Sequence, residues 1–378
     1  MHRAASGSPL RVALIIPTMD LGGAEKQVAL LALGLHEQGH HVEVVLLTRD
    51  GPRSDSLRKA GVPVTVIGKQ FKADPRALFR LIRFLRRQSF HVAHTFLFAA
   101  NAFGRLAALK AGVPVVIGSE RCVDPWKRTW HFAIDRFLAA RSHGITSNSA
   151  GVRDFYVANG IPSEHFTLIP NGVPQPVARE PVSRGEALSR LSIPEESQLI
   201  LSVGRLWPQK RVRDLIWAGE LVATVREKVH LVVVGDGPQR SDLLGHRDRV
   251  STVDHVTFTG WRDDVVDILP HADLYWIASE YEGQSNAVIE AMQAGVPVVA
   301  SDIPGNRDLV EHDNTGLLFP VGDTADLARQ SLRLLKEEGL ADRLRDAARG
   351  RIQQDFQVDT MVARHVELYR RCLRDLHP

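Results

Sequence analysis

Short apolar runs rich in Val and Ile recur along the chain, and each is followed by a longer segment whose apolar residues return at steps of three and four. The first kind of pattern predicts buried strands and the second amphipathic helices, so the alternation predicts βαβ units and parallel sheets. In the first half the strand candidates are residues 12–16, 42–47, 64–67, 91–95, 115–118, 144–148 and 166–170. The pattern restarts at 199–205 and continues through 230–236, 255–260, 273–278, 296–301 and 315–320. Between the halves, prolines and polar residues replace the periodicity over 171–185, which reads as an interdomain connection. Beyond Pro320 the chain reads as helix to its end. The expected organisation is a first Rossmann-like domain over 1–170, a linker over 171–190, a second such domain over 191–358, and a last helix over 359–378 that crosses back to the first domain. The expected fold class is α/β, with two doubly wound sheets facing across a cleft at their strand C-termini.

Length agrees with that division, since 378 residues exceed what one core usually supports. Cys122 and Cys372 are too few for a metal cage or a disulfide framework and fit a reducing setting. No long charge-free apolar stretch is present and the first residues lack a signal-peptide core, so a cytoplasmic protein is expected, on the inner face of the membrane if it meets lipid. The net charge of +3 hides a split: residues 1–170 carry 22 Lys+Arg against 12 Asp+Glu, and residues 171–378 carry 25 against 32. A basic half joined to an acidic half implies different partners for each.

Candidate chemistry lies where strands end. Gly22 and Gly23 open a helix after the first strand, where free amides attract phosphate or glycine simply makes a tight turn. Arg205 ends a strand and Lys210 follows five residues on; fixed cations at that place suit a diphosphate, and a solvated loop pair is the plainer alternative. Gly235 lies in GDGP, which lacks the third glycine of a dinucleotide fingerprint and so argues against a nicotinamide dehydrogenase. In SEYEGQSNAVIEAMQAGVPVVAS (279–301), Glu282 follows a strand and Glu290 sits within a helix whose first amides, near Gln284, Ser285 and Asn286, are open to an anion or hydroxyls. Two carboxylates there suit the hydroxyls of a sugar and a ribose; a helix-start charge and a solvated one are the plainer reading. There is no metal-binding His or Cys pattern, no Asp-x-Asp, and no basic-aromatic interleaving of a nucleic-acid binder.

GGAEK, VGRL…QKR, VVGDGP, FTGWRDDV, the Glu282/Glu290 segment and NTGLLFPVGD together resemble the retaining, nucleotide-sugar-dependent group 1 glycosyltransferases of the glycogen-synthase and mannosyltransferase type, which have the GT-B fold. The resemblance is specific over 199–320 and thinner before it. It implies a hexosyltransferase in cell-envelope glycan, polysaccharide or glycolipid synthesis, using a nucleotide-diphosphate sugar as donor substrate and neither cofactor nor metal. Arg205 and Lys210 would neutralise the diphosphate, Glu290 would hold the ribose and Glu282 the transferred sugar. Gly22, Gly23, Gly235, Gly283, Gln284, Ser285 and Asn286 would line the donor, with the backbone around Gly260, Trp261 and Arg262 framing the base. Many relatives carry His-x-His after the fourth strand; here the run is His94-Thr95-Phe96. His94 remains an acceptor-side candidate with Glu120 and Arg121, which follow the fifth strand.

The helix expected over 75–90 aligns Arg76, Arg80, Arg83 and Arg87 on one face, so it suits either anionic lipid beside a lipid-linked acceptor or ordinary solvation. A sugar-nucleotide epimerase and a catalytically silent binding protein share this architecture and stay open as alternatives.

Overall fold

The computed structural model describes residues 8–175 and 180–376. In chain order the elements of the first part are β1 (Arg11–Ile16), α1 (Gly23–Glu37), β2 (His41–Leu46), α2 (Ser54–Lys59), β3 (Val64–Val66), α3 (Pro75–Gln88), β4 (Val92–Phe96), α4 (Leu97–Ala111), β5 (Val115–Glu120), α5 (Thr129–Ala139), β6 (Gly144–Ser147), α6 (Ala150–Ala158) and β7 (Phe166–Leu168). Then come α7 (Arg184–Arg190), β8 (Gln198–Val203), α8 (Val212–Ala223), β9 (Val229–Val234), α9 (Arg240–Val250), β10 (Val256–Gly260), α10 (Val265–Ile268), β11 (Leu274–Ile277), α11 (Asn286–Ala294), β12 (Val298–Ser301), α12 (Pro304–Arg307), β13 (Leu317–Phe319), α13 (Thr324–Lys336), α14 (Leu340–Asp355) and α15 (Val358–Asp375). The chain divides into unit 1, Met1–Gln175 with Phe356–Pro378, and unit 2, Pro176–Asp355.

Unit 1 is built on a parallel sheet of order β3-β2-β1-β4-β5-β6-β7. Strand side chains alternate between faces, which explains why the runs are apolar throughout: Val12, Leu14 and Ile16 meet α1 and α15, while Ala13 and Ile15 meet α3 and α4. After Pro320 come the three helices α13, α14 and α15, and the last, α15, buries Met361, Val362, Val366 and Tyr369 in unit 1. It approaches α1 closely at Gly34, where a Cβ would stand 2.5 Å from a methyl of Val362.

Unit 2 has a parallel sheet of order β10-β9-β8-β11-β12-β13 over a core that includes Ile200, Leu231, Val233 and Trp276. Each sheet reverses its winding once, between β1 and β4 in unit 1 and between β8 and β11 in unit 2. Loops leaving such a pair of strands diverge, which opens a crevice at their C-terminal ends.

The stretch expected as linker, 171–190, contains α7. Its polar composition conceals a capped helix: Ser183 accepts from the amide of Glu186 at 3.2 Å. Arg184 then donates to the carbonyls of His271 (2.5 Å) and Ser197 (2.8 Å) and pairs with Asp273 at 2.8 Å, tying α7 into unit 2. Residues 176–179 of that stretch lie outside the described residues.

Candidate functional site in unit 2

The loops leaving β8 and β11 meet at the reversal of the second sheet. A 3-10 turn over Pro208–Lys210 aims the Lys210 side chain back across the end of β8, over Gly204, and Arg211 starts α8 from a left-handed conformation (φ 48°). The two loops are joined by Glu280 donating its amide to the carbonyl of Gln209 at 2.8 Å. Lys210 Nζ pairs with Glu282 Oε1, and the same oxygen accepts from Ser279 Oγ at 2.8 Å. The side chains of Lys210 and Glu282 remain 19% and 11% accessible, so the pair can be reached by solvent and by a ligand. Arg205 and Lys210 line one recess with Gly204, Ile277 and Ala278. The Arg205 guanidinium is exposed, 5.0 Å from the Trp207 ring centroid, with no salt bridge to it among the described residues.

Glu290 lies on α11, deeper along the same end of the sheet. Both it and Glu282 act electrostatically on the Tyr275 hydroxyl, whose pKa is raised chiefly by burial and further by the two carboxylates. Tyr275 Oη in turn donates to the carbonyl of Val203 at 3.2 Å, linking β11 to the C-terminal end of β8. α11 begins after Ser285, which is in extended conformation and gives no side-chain cap. Gln284 and Ser285 are buried at that start.

The glycines have a packing explanation. A Cβ on Gly235 (φ 136°) would stand 1.9 Å from the Gly204 carbonyl oxygen, and one on Gly305 would stand 2.0 Å from that of Gly283. Gly235 thus lets the loop after β9 close on the loop after β8, and Gly305 packs α12 under the segment carrying Glu282. The Arg262 side chain grips Asp264 through two bonds of 2.7 Å and donates to the Arg190 carbonyl at 3.2 Å. That grip holds the Asp264 carboxyl below its usual range.

The candidates in unit 1 are less available. His94 is wholly buried, with Nδ1 2.7 Å from Tyr369 Oη and Nε2 3.1 Å from Thr146 Oγ1, and burial drives its pKa well down. Both ring nitrogens are satisfied inside the core, which corrects its reading as an acceptor-side group; Phe96 is buried beside it. Glu120 is also buried. It accepts from Asn101 at 3.0 Å and faces Lys127 Nζ at 3.6 Å, in a cluster where Lys127 also meets Asp135 at 3.0 Å and Asp124 at 3.6 Å, and Arg105 meets Asp135 at 3.4 Å. Two cations among three carboxylates leave one negative charge in excess. Burial, with Asp135 and Asp124 adding to it against Lys127, raises the Glu120 pKa to about 7. Arg121, its pKa lowered by burial to about 10, donates to Asn171. At the start of α1, a Cβ on Gly22 would stand 2.0 Å from Glu25 Oε2: the carboxylate curls back over the helix N-terminus where a phosphate was expected.

Ser279, Tyr275 and Gln209 are parts of the site that sequence reasoning missed. Only Ser279 left a signal, as the polar residue at the end of an apolar strand. A cavity of about 440 Å³ opens at the other end of the sheet of unit 2, among Gln198, Asp273, Gly295 and Arg349, and includes none of these residues.

Two doubly wound units of this kind, with charged side chains at the strand C-termini of the second, are the architecture of the GT-B class. The chain belongs to the group 1 glycosyltransferases: the profile described as Glycosyl transferases group 1 matches residues 183–351, and that described as Glycosyl transferase 4-like domain matches residues 22–172. A GDP-mannose-dependent alpha-mannosyltransferase of Mycobacterium tuberculosis is 30% identical over 83% of this chain and 85% of its own length. A UDP-Gal:alpha-D-GlcNAc-diphosphoundecaprenol alpha-1,3-galactosyltransferase of Escherichia coli is 25% identical over 83% of this chain and 84% of its own. An N-acetyl-alpha-D-glucosaminyl L-malate synthase of Bacillus anthracis is 32% identical, over about half the length of each chain (48%). In fold, the chain matches an Anabaena protein crystallised with UDP and glucose at a TM-score of 0.85 and 20% identity, over 95% of this chain and 98% of that one.

Proposed function

We propose that the chain transfers a hexose-type sugar from a nucleoside diphosphate sugar to an acceptor hydroxyl with retention at the anomeric carbon. The observation that carries this reading is the accessible Lys210–Glu282 pair at the reversal of the second sheet, with Arg205 beside it. Arg205 and Lys210 are the countercharges of the diphosphate, the amides at the start of α11 add hydrogen bonds, Glu290 holds the ribose and Glu282 the sugar. In the transfer, the acceptor oxygen bonds to the anomeric carbon on the face from which the diphosphate oxygen departs. The hydroxyl proton passes to that leaving oxygen, which Lys210 and Arg205 stabilise as its charge grows. Their countercharge takes the place a divalent cation would hold in a metal-dependent reaction.

An envelope role is supported by the relatives named above, one acting on a lipid-linked diphosphate sugar and another using GDP-mannose. In keeping with a lipid-linked acceptor, α3 presents Arg76, Arg83 and Arg87 to solvent, whereas Arg80 is spent on the carbonyls of Ile67 and Gly68, at 3.0 Å each.

A thermal-shift screen of nucleoside diphosphates and their sugars tests donor use, because a ligand of the folded state raises the melting temperature by mass action. With the stabilising donor, nucleoside diphosphate release in the presence of an acceptor and proton NMR of the product read transfer and retention. No shift with any nucleotide sugar, or an inverted product, overturns the reading.

A further inference from the structure

Helix α5 is apolar on two sides. Phe132, Leu138 and Ala139 face the interior, as a sheet-covering helix requires. Trp130, Ile134 and Phe137 follow the same steps of four and three on the outer side, where polar residues are the rule. Trp130 is 53% exposed, Phe137 52%, and Trp126 in the preceding loop 53%. The exposed charges beside these rings are arginines, and the carboxylate that touches one of the rings, Asp124, is mostly covered. Arg128, Arg136 and Arg141 are exposed, and Arg141 lies 3.7 Å from the Phe137 ring centroid. The single carboxylate of α5, Asp135, is turned inward to Lys127 and Arg105. In the loop, Asp124 is taken by Trp126 Nε1 at 3.0 Å, Tyr156 at 2.9 Å and Lys127. α3 packs on α4 and α4 on α5, so the basic face of α3, with Phe79 65% exposed, lies on the same side of the sheet.

We infer that this side of unit 1 rests on an anionic lipid surface, with Trp126, Trp130 and Phe137 at headgroup depth and the arginines on lipid phosphates. Indole rings favour that depth, having an apolar body and one donor, and arginine stems cover apolar surface while their charge stays in water. An aromatic centre with three exposed arginines around it complements a negative, laterally fluid surface, which takes up indole rings and cations together. Among the described residues no helix is long and apolar enough to cross a membrane, so the contact is one of lying on the surface. The inference deepens the proposed function by naming where a lipid-linked acceptor is met, but vesicle binding does not depend on catalysis.

The test is co-sedimentation of the full chain with phosphatidylcholine vesicles, with and without phosphatidylglycerol. Binding to the anionic vesicles is expected to exceed binding to the neutral ones and to weaken with salt. Trp130→Ser combined with Phe137→Ser should lower the partition coefficient about tenfold or more, with the thermal unfolding transition retained. Tryptophan fluorescence of the unaltered protein should be quenched by brominated lipid. The inference is overturned if the anionic vesicles are ignored, if the double variant sediments like the parent, if brominated lipid does not quench, or if sedimentation velocity without lipid finds a dimer that the two substitutions dissolve. Transfer to a short water-soluble acceptor reads the enzyme separately: its absence beside intact vesicle binding counts against the proposed function and leaves the membrane surface standing.

Discussion

Both units end their central strands in charged residues, but the charges meet opposite fates. At the ends of β8 and β11 in unit 2, Lys210 and Glu282 pair while keeping some exposure, and Arg205 stands free of salt bridges among the described residues. Around the end of β5 in unit 1, Glu120, Lys127, Asp135 and Arg105 are buried together and pair with one another, with Arg105 Nη1 left without a hydrogen-bond partner among the described residues. A pair that solvent and a ligand can reach can exchange partners; a buried cluster cannot, because separating its members leaves uncompensated charge in the core. The same fold thus leaves one set of charges within reach of a ligand and encloses the other in its core. The difference also runs through the totals: with α15 added, unit 1 has 26 Lys+Arg against 15 Asp+Glu, and unit 2 has 21 against 29. The few exposed cations at the site of unit 2 therefore stand in an acidic setting.

The comparison can be broken most sharply at Lys127. Lys127→Ala should destabilise the fold by about 3–5 kcal/mol, read by urea unfolding, since it strands three carboxylates around one remaining cation. A loss below 1 kcal/mol would mean that the cluster is not the architectural element described. Lys210→Ala should do the reverse, cutting turnover about 10²–10³-fold with unfolding unchanged. Near-normal turnover would end its role as countercharge of the leaving diphosphate. Glu290→Ala should weaken nucleoside diphosphate binding roughly tenfold by calorimetry, the effect of losing one hydrogen bond to a charged acceptor, or about 1.4 kcal/mol; unchanged affinity removes the ribose contact.

The smallest effect is in pH. The folded chain keeps a proton on Glu120 that the unfolded chain releases above the ordinary value of 4.5, so this contribution to stability is full below that pH. It falls as pH rises toward about 7 and is level beyond. Glu120→Gln should flatten that slope in urea unfolding across the range, and an unchanged slope would assign it to other groups.

Most strands were legible because they lie in a sheet covered on both faces, so their residues are mainly apolar and the run survives as a signal; the edge strands β3 and β7 are only part-buried. The positions of Arg205, Lys210 and Glu282 just beyond β8 and β11 were legible for a related reason: polar residues after such a run mark strand ends, where a doubly wound sheet opens. Capping hid α7, whose apolar content is too small to show a period. Tertiary structure alone decided which charges face solvent. Glu120 and Arg121 follow a strand in sequence just as Glu282 does, but the loop after β5 folds Lys127 back over its carboxylates. His94 read as a site residue until Tyr369, 275 positions later, closed over it from α15. Local pattern determines where a chain is apolar and where it turns, because those preferences act between near neighbours. Burial and pairing of charge depend on which distant segments arrive, and only the folded chain brings those together.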